Sequence, residues 1–166
     1  GRRQALTQTD AADAPLTLAR LQVLPGWIDY NGHMTESRYL FAGSETSDAF
    51  LRLIGAGMDY VAAGHSYYTA ETHIMHLGEA KLGDRLTGSL QVLSADEKRL
   101  HVFIRIEKDS APVATLEQML LHVDMNAGRA CPAAPEILEQ LFRIRDAHAA
   151  LPRPASSGRH VGERKG

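Results

Sequence analysis

Residues 27–54, WIDYNGHMTESRYLFAGSETSDAFLRLI, join a polar segment to a long stretch with a helical period. The apolar and small residues of that stretch recur at helical spacing: Tyr39, Ala42, Gly43, Thr46, Phe50 and Leu53. The pattern predicts a helix from Glu36 to Ile54, with Thr35 as N-cap and Gly55 as C-terminal stop. Gly43 inside this helix is explained either by a close approach of a sheet or partner helix, or as a tolerated glycine.

Strand patterns lie on both sides of this helix. Thr17–Leu24 alternates and stops at Pro25-Gly26, which predicts a first strand. Four longer segments after the helix have strand composition: Tyr67–Leu77, Arg85–Leu93, Arg99–Glu107 and Val113–Val123. Short polar turns at 94–98 and 109–110 predict that the last three pair as an antiparallel meander. A second helix is predicted over Ile137–Ala150.

These elements predict an α+β domain, in which one long helix packs on an antiparallel sheet of about five strands and a C-terminal helix follows. The domain is expected to span residues 16–150, with flexible tails at 1–15 and 151–166. Since the first residue is Gly1 and not Met, the N-terminal tail is interpreted as an expression remnant or as a linker from a longer protein.

Composition excludes several function classes. A net charge of −2 argues against a broad nucleic-acid surface, and no apolar run approaches the ~18 residues that cross a bilayer. The single cysteine, Cys131, has no intramolecular disulfide partner, which suits a reducing compartment, and the cytoplasm is the expected location. No metal site is expected: His73 and His76 point to opposite strand faces, and His122 and Asp124 lack a third ligand.

The segment before the long helix concentrates groups that could act on a thioester. Asp29 could attack a carbonyl or activate water, and Gly32 would let the backbone approach a substrate. The free N–H groups near Glu36 and Ser37 could stabilise an oxyanion. From the pattern alone, an equal alternative is that Asp29 and Asn31 form Asx turns and that His33 is structural.

The run Asp29-Tyr30-Asn31-Gly32-His33-Met34, followed by Tyr39-Leu40, resembles the motif D-x-x-G-H-V-N-x-x-x-Y-L of hot-dog-fold acyl-CoA and acyl-carrier-protein thioesterases. The resemblance implies a hot-dog fold, thioester hydrolysis without a cofactor, and a homodimer or higher homo-oligomer. It places Asp29 on the catalytic aspartate of the family.

In the plant acyl-carrier-protein branch of that family the site reads D-x-N-x-H. Asp29, Asn31 and His33 match all three positions, which implies a nucleophile or base, an orienting amide and a polarising imidazole. The chain departs from the family at Thr35, where Asn is usual. The later acidic residue of the plant enzymes has no sure counterpart, although Asp96 and Glu97 lie in a suitable region.

Four further segments are similar to betainyl-CoA thioesterases of carnitine breakdown, which occur alone or fused behind carnitine dehydrogenase: WIDYNGHM, YTAETHI, DEKRLHVF and EQMLLHVD. This resemblance implies a small cationic acyl group, with betainyl-CoA as the first candidate, and a fusion to a dehydrogenase domain as one origin of the missing Met. The residues expected to bind substrate are Trp27, Tyr30, Gly32, Glu36, Tyr67 and Glu71. Tyr67 and Glu71 are expected to share one strand face, with Tyr68 on the other.

Two other functions compete with thioester hydrolysis. One is a hot-dog dehydratase or hydratase that uses His33 and Glu45 as base and acid. The other is a non-catalytic module that binds acyl thioesters as part of a larger enzyme.

Overall fold

A computed structural model of the chain describes residues 14–164. The predicted tail at 1–15 therefore lies, up to residue 13, outside the described residues. Within 14–164 the elements are β1 (Leu16–Gln22), α1 (Glu36–Leu53), α2 (Met58–Ala62), β2 (His65–His76), β3 (Arg85–Ala95), β4 (Arg99–Lys108), β5 (Ala111–Asp124), β6 (Arg129–Ala130) and α3 (Pro135–His148). A 3-10 turn, Pro25–Trp27, follows β1. None of the described helices is long and apolar enough to cross a membrane.

The strands form one antiparallel sheet in the order β1-β3-β4-β5-β2, and β6 pairs with the end of β5. The predicted meander of β3, β4 and β5 is confirmed, with Leu90 opposite Ile104 and Ile104 opposite Leu116. β2 pairs with β5 and not with its neighbour in sequence, so it is an edge strand. The long helix lies on this sheet, which confirms the predicted α+β architecture.

α1 rests on the sheet through small and apolar side chains. Its buried residues are Tyr39, Ala42, Gly43, Thr46, Ser47 and Phe50. A Cβ at Gly43 would lie 2.5 Å from Leu116 Cδ2, a distance that Cβ atoms do not tolerate. The close approach of Leu116 on the sheet therefore favours the first explanation of Gly43 over that of a merely tolerated glycine.

α3 covers the part of the β3 edge that β1 leaves free. The Val92 N–H donates to His148 Nδ1 at 2.9 Å, and Arg145 Nη1 donates to the Ala95 carbonyl at 3.1 Å. Burial lowers the pKa of His148, which keeps the imidazole neutral and able to accept this hydrogen bond. Side chains of α3 thus supply hydrogen-bond partners for backbone N–H and C=O groups on the edge of β3 that β1 does not pair.

The C-terminal segment crosses the sheet face that is opposite α1. Gln91 Nε2 donates to the Pro152 carbonyl at 3.2 Å, and the Gly158 N–H donates to Glu117 Oε1 at 2.6 Å. The other Glu117 oxygen lies 3.0 Å from His101 Nε2. The flexibility expected for residues 151–166 stays a prediction.

Replacing Gly43 with Ala should destabilise the protein by about 1–3 kcal/mol, although Ala is the better helix former, because the added methyl overlaps Leu116. The measurement is urea unfolding, with Asp48→Ala, an exposed position of α1, as the control that reports helix propensity alone. Adding Leu116→Val should restore part of the loss. A Gly43→Ala variant as stable as the Asp48→Ala control would contradict this explanation of how α1 packs on the sheet.

Candidate active site

The polar segment before α1 folds into a short hairpin. Ile28 and Met34 form an antiparallel bridge, and the Asp29 N–H donates to the His33 carbonyl at 2.9 Å. The Gly32 N–H donates to the Asp29 carbonyl at 3.1 Å, and the φ angle of Gly32 is 80°. This is the geometry of a three-residue hairpin loop whose last residue is left-handed, a conformation that favours glycine. A Cβ on Gly32 would meet open space, so the backbone conformation and not crowding accounts for the residue.

The Asp29 carboxylate is held by its own loop. Its Oδ1 accepts the Asn31 N–H at 2.8 Å and the His33 N–H at 3.4 Å. The Asx turn of the structural alternative is therefore present. Within residues 14–164, Oδ2 has no hydrogen-bond partner, so the carboxylate is oriented by one oxygen and leaves the other available. The Asp29 side chain is partly buried, as is His33, whereas Asn31 is exposed.

The N-terminus of α1 follows directly. Thr35 occupies the N-cap position as predicted, although its hydroxyl makes no capping hydrogen bond. The backbone N–H of Thr35 donates instead to the Trp27 carbonyl at 2.8 Å. The N–H groups of Glu36 and Ser37 find no acceptor among residues 14–164. They are unpaired donors at the positive end of an 18-residue helix.

The hairpin is tied to the segment that leaves β2. The Met34 N–H donates to the Ala80 carbonyl at 2.8 Å, and the Ala80 N–H donates to the Tyr39 hydroxyl at 3.1 Å. The Tyr39 ring meets His76, the last residue of β2, edge-on at 5.2 Å. The hairpin, the start of α1 and the end of β2 therefore form one connected unit.

This segment supplies a carboxylate that sequence reasoning missed. His33 Nε2 lies 3.0 Å from Glu79 Oε2, and the two side chains are 33% and 67% exposed. The acidic residues considered for this role, Asp96 and Glu97, lie instead at the β3–β4 turn, at the opposite end of the sheet. The Asp96 carboxylate is occupied there by the N–H groups of Lys98 and Arg99, which lower its pKa. The sequence signal for Glu79 is its place in the segment between β2 and β3, three residues after His76.

The residues expected to bind substrate near the hairpin differ in accessibility. Tyr30 is 97% exposed at the tip of the loop, and Glu36 is exposed at the start of α1. Trp27 is buried against Phe41 in an edge-on contact at 5.5 Å. The Arg38 guanidinium lies 5.2 Å from the centroids of both rings, so a cation already occupies the position over Trp27.

Tyr67 and Glu71 are not brought to the hairpin within one chain. The strand from Tyr67 to His76 spans roughly 30 Å at about 3.3 Å per residue, and His76 is the end that adjoins the hairpin. The expectation that Tyr67 and Glu71 share a face is wrong, because a bulge interrupts the register between Thr69 and Glu71. Tyr67 is opposite the buried His122, whereas Glu71 is opposite Met119, on the face that Tyr68 also occupies.

Tyr67 belongs to a buried aromatic cluster at the far end of the sheet. Its ring meets His122 edge-on at 5.1 Å, and His122 stacks on His65 at 5.8 Å. His122 accepts a hydrogen bond from the Tyr60 hydroxyl at 2.7 Å and donates Nδ1–H to the Cys131 carbonyl at 2.7 Å. Burial lowers the pKa of His122 and raises that of Tyr67, so both rings are uncharged at neutral pH.

Two other sequence hypotheses concern a dehydratase pair and a metal site. Glu45 lies roughly 14 Å along α1 from Glu36, at about 1.5 Å per residue, and His33 precedes the helix, so one chain does not place the dehydratase pair together. Among residues 14–164, no group of three or more His, Cys, Asp or Glu side chains is arranged to hold a metal ion.

Comparison with known proteins agrees with this geometry. Residues 23–141 match the family model described as the thioesterase-like superfamily. The chain belongs to that superfamily. A candidate thioesterase of known structure from Pseudomonas putida KT2440 is 31% identical, with a TM-score of 0.78 over 92% of this chain and 99% of its own.

Two curated relatives are more similar in sequence. The "L-carnitine dehydrogenase/betainyl-CoA thioesterase" of Rhizobium meliloti is 53% identical over 93% of this chain. The match covers 32% of that relative and lies in its C-terminal part, so this superfamily member spans about a third of the relative's length. The "Betainyl-CoA thioesterase" of Pseudomonas aeruginosa is 39% identical over 89% of this chain and 94% of its own length.

Proposed function

We propose that this protein is an acyl-CoA thioesterase in which Asp29 acts on the thioester carbonyl. The observation that carries the proposal is the Asp29 carboxylate, whose Oδ1 accepts two backbone N–H groups while Oδ2 has no partner within residues 14–164. A carboxylate oxygen that is fixed in place but not engaged is suited to act as nucleophile or general base. The names of relatives that are 53% and 39% identical support the same reaction.

The start of α1 is proposed to stabilise the negative charge that develops on the carbonyl oxygen. The N–H groups of Glu36 and Ser37 have no acceptor among the described residues and lie directly after the Asp29 hairpin. Loss of one such donor typically costs about 100- to 1,000-fold in kcat in acyl-transfer enzymes. The Asn31 amide is proposed to orient the substrate beside them.

Asp29 can act by two routes that give the same products. As a nucleophile, Oδ2 bonds to the carbonyl carbon, the C–S bond breaks, CoA leaves as a thiolate, and water then hydrolyses the anhydride. As a general base, Asp29 takes a proton from water while the water oxygen bonds to that carbon and the C–S bond breaks. In both routes the thiolate is finally protonated, and the free acid and CoA are released.

The proposed acyl group is betainyl, as in the named relatives. Its trimethylammonium group is two bonds from the attacked carbonyl carbon, so it must lie close to Asp29. Glu36 provides further negative charge beside the hairpin, and the exposed Tyr30 ring offers an aromatic face. Arg38 lies on the Trp27 and Phe41 rings, which makes Trp27 the weakest member of the proposed pocket.

A homodimer is proposed to complete the site. β2 is the longest edge strand and pairs only with β5 among the described residues, so its outer edge can pair with a second copy. In an antiparallel pairing about a two-fold axis, the first residues of one β2 lie beside the last residues of the other. The partner's Tyr67, which faces the helix side, would then approach the His76 end and the hairpin. Nothing in this arrangement favours a role for Glu71.

A functional link to carnitine oxidation is also proposed. Four curated relatives carry the name "L-carnitine dehydrogenase/betainyl-CoA thioesterase", and the match covers about a third of each. This chain is proposed to act in the cytoplasm beside such a dehydrogenase, either fused to it or separate. The single cysteine fits a reducing compartment.

Asp29→Asn should lower kcat/KM for the best substrate of an acyl-CoA panel by at least about 100-fold, with little change in thermal unfolding. The side-chain oxygen of Asn can still accept the Asn31 and His33 N–H groups, whereas the reactive oxygen is replaced by an amide nitrogen. Asp48→Asn, an exposed carboxylate of α1, is the matched control. A variant that retains more than about a tenth of the activity, a loss below ~1.4 kcal/mol, would remove Asp29 from the central role.

The protein should be a dimer in light scattering, and charges placed on the outer edge of β2 should weaken it. Tyr68 is 52% exposed on this strand, so Tyr68→Lys is expected to shift the equilibrium toward monomer and lower activity in parallel. Val161→Lys, which places the same charge at an exposed position outside the strands, is the control. A fully active wild-type monomer would contradict the proposed shared site.

Betainyl-CoA should be preferred to 3,3-dimethylbutyryl-CoA, in which carbon replaces the nitrogen. Each cation–aromatic contact contributes about 0.5–2 kcal/mol, so we expect at least about a twofold difference in kcat/KM after division by the uncatalysed hydroxide rate of each thioester. That division removes the greater intrinsic reactivity of the cationic ester. Equal normalised values would reject a cation-selective pocket and leave the thioesterase proposal standing.

A further inference from the structure

We infer that Glu79 is a positioning residue that fixes the protonation pattern of His33, so that His33 accepts a proton during hydrolysis and does not polarise the carbonyl. The inference rests on the proposed thioesterase function and assigns a residue that the sequence motif does not contain. Its basis is the 3.0 Å contact between His33 Nε2 and Glu79 Oε2.

The direction of this hydrogen bond decides what His33 can do. An ionised carboxylate is only an acceptor, so the proton of a neutral His33 lies on Nε2 and is donated to Glu79. Nδ1 is then an unprotonated acceptor, and within residues 14–164 it has no hydrogen-bond partner. A neutral imidazole in this tautomer presents a base, whereas a polarising role would require an N–H.

The backbone around Glu79 holds the carboxylate beside the hairpin. The next residue, Ala80, is fully buried, accepts the Met34 N–H and donates its own N–H to Tyr39. The Glu79 side chain itself is 67% exposed, and an exposed ion pair stabilises a fold by only about 0–1 kcal/mol. The main consequence of the contact is therefore the orientation and tautomer of the His33 ring.

Such a base is needed in the route in which Asp29 attacks. Oδ2 forms a bond to the acyl carbon, the C–S bond breaks, and CoA leaves with the electron pair as a thiolate. Once acylated, Asp29 is no longer a base. We assign to His33 the role of base in the hydrolysis of acylated Asp29. Nδ1 takes a proton from water, the water oxygen bonds to the acyl carbon, and the Asp29 carboxylate is released. His33 then gives this proton to solvent, which has supplied the proton taken up by the released CoA thiolate, and the starting state is restored.

The variant Glu79→Ala distinguishes the two steps of the reaction, the acylation of Asp29 and the hydrolysis of the acylated Asp29. Loss of the acceptor should lower kcat for betainyl-CoA by at least about tenfold and leave kcat/KM within about threefold, because kcat/KM reports acylation and kcat reports the slowed hydrolysis. Rapid mixing with a thiol reagent should show one equivalent of CoA released per site before slow turnover. Glu79→Gln keeps a neutral acceptor and should restore part of kcat. Glu139→Ala, an exposed carboxylate of α3, should match the wild type.

A structural readout complements the kinetics. The 15N shifts of the His33 ring in the whole protein should show the proton on Nε2 in the wild type and in Glu139→Ala, and a mixture of tautomers in Glu79→Ala. A Glu79→Ala protein with unchanged tautomer, or with no burst and equal losses in kcat and kcat/KM, would overturn the inference and leave the thioesterase proposal intact. A wild-type protein that hydrolyses no acyl-CoA would overturn both.

Discussion

The contact between Gly43 and Leu116 determines where the candidate site forms. Because Gly43 has no Cβ, α1 can approach Leu116 of β5 closely, and an added Cβ would require the helix or the Leu116 side chain to move. When α1 packs on the sheet in this position, its first turn lies beside the end of β2, where Tyr39 contacts both His76 and Ala80. The hairpin that carries Asp29 is held between these elements. A packing constraint in the middle of the helix thus positions the chemistry at its start.

Asp29 shows that a structural and a catalytic interpretation of one residue need not compete. The hydrogen bonds from Asn31 and His33 to Oδ1 are those of an ordinary Asx turn. The same bonds orient the carboxylate and leave Oδ2 without a partner in the described chain. Preorganisation of this kind lowers the cost of reaching a reactive geometry, because the group does not have to be ordered when the substrate binds.

Local sequence patterns predicted most of the fold, whereas the choice of Asp29 as the centre of the candidate site came from the resemblance to a family motif. The helical period ended within one residue of the observed end of α1, and the strands of the meander were placed because alternation and turn composition are local properties. The pairing of β2 with β5 and the bulge after Thr69 were not predicted, because both depend on contacts between distant segments. The bulge reversed the faces inferred for Tyr67 and Glu71. Glu79 was missed for the same reason, since only the fold brings it to His33.

The size of the proposed substrate limits where selectivity can arise. In a betainyl thioester the cation is two bonds from the reacting carbon, so groups that recognise it must lie within a few ångströms of Asp29. The aromatic cluster of Tyr60, His65, Tyr67 and His122 is chemically suited to a cation, but in one chain it lies at the opposite end of β2. It can act on the acyl group only across a two-fold axis, on the site of the neighbouring chain. If it does, the edge of β2 serves both assembly and substrate choice, and dissociation would remove selectivity as well as stability.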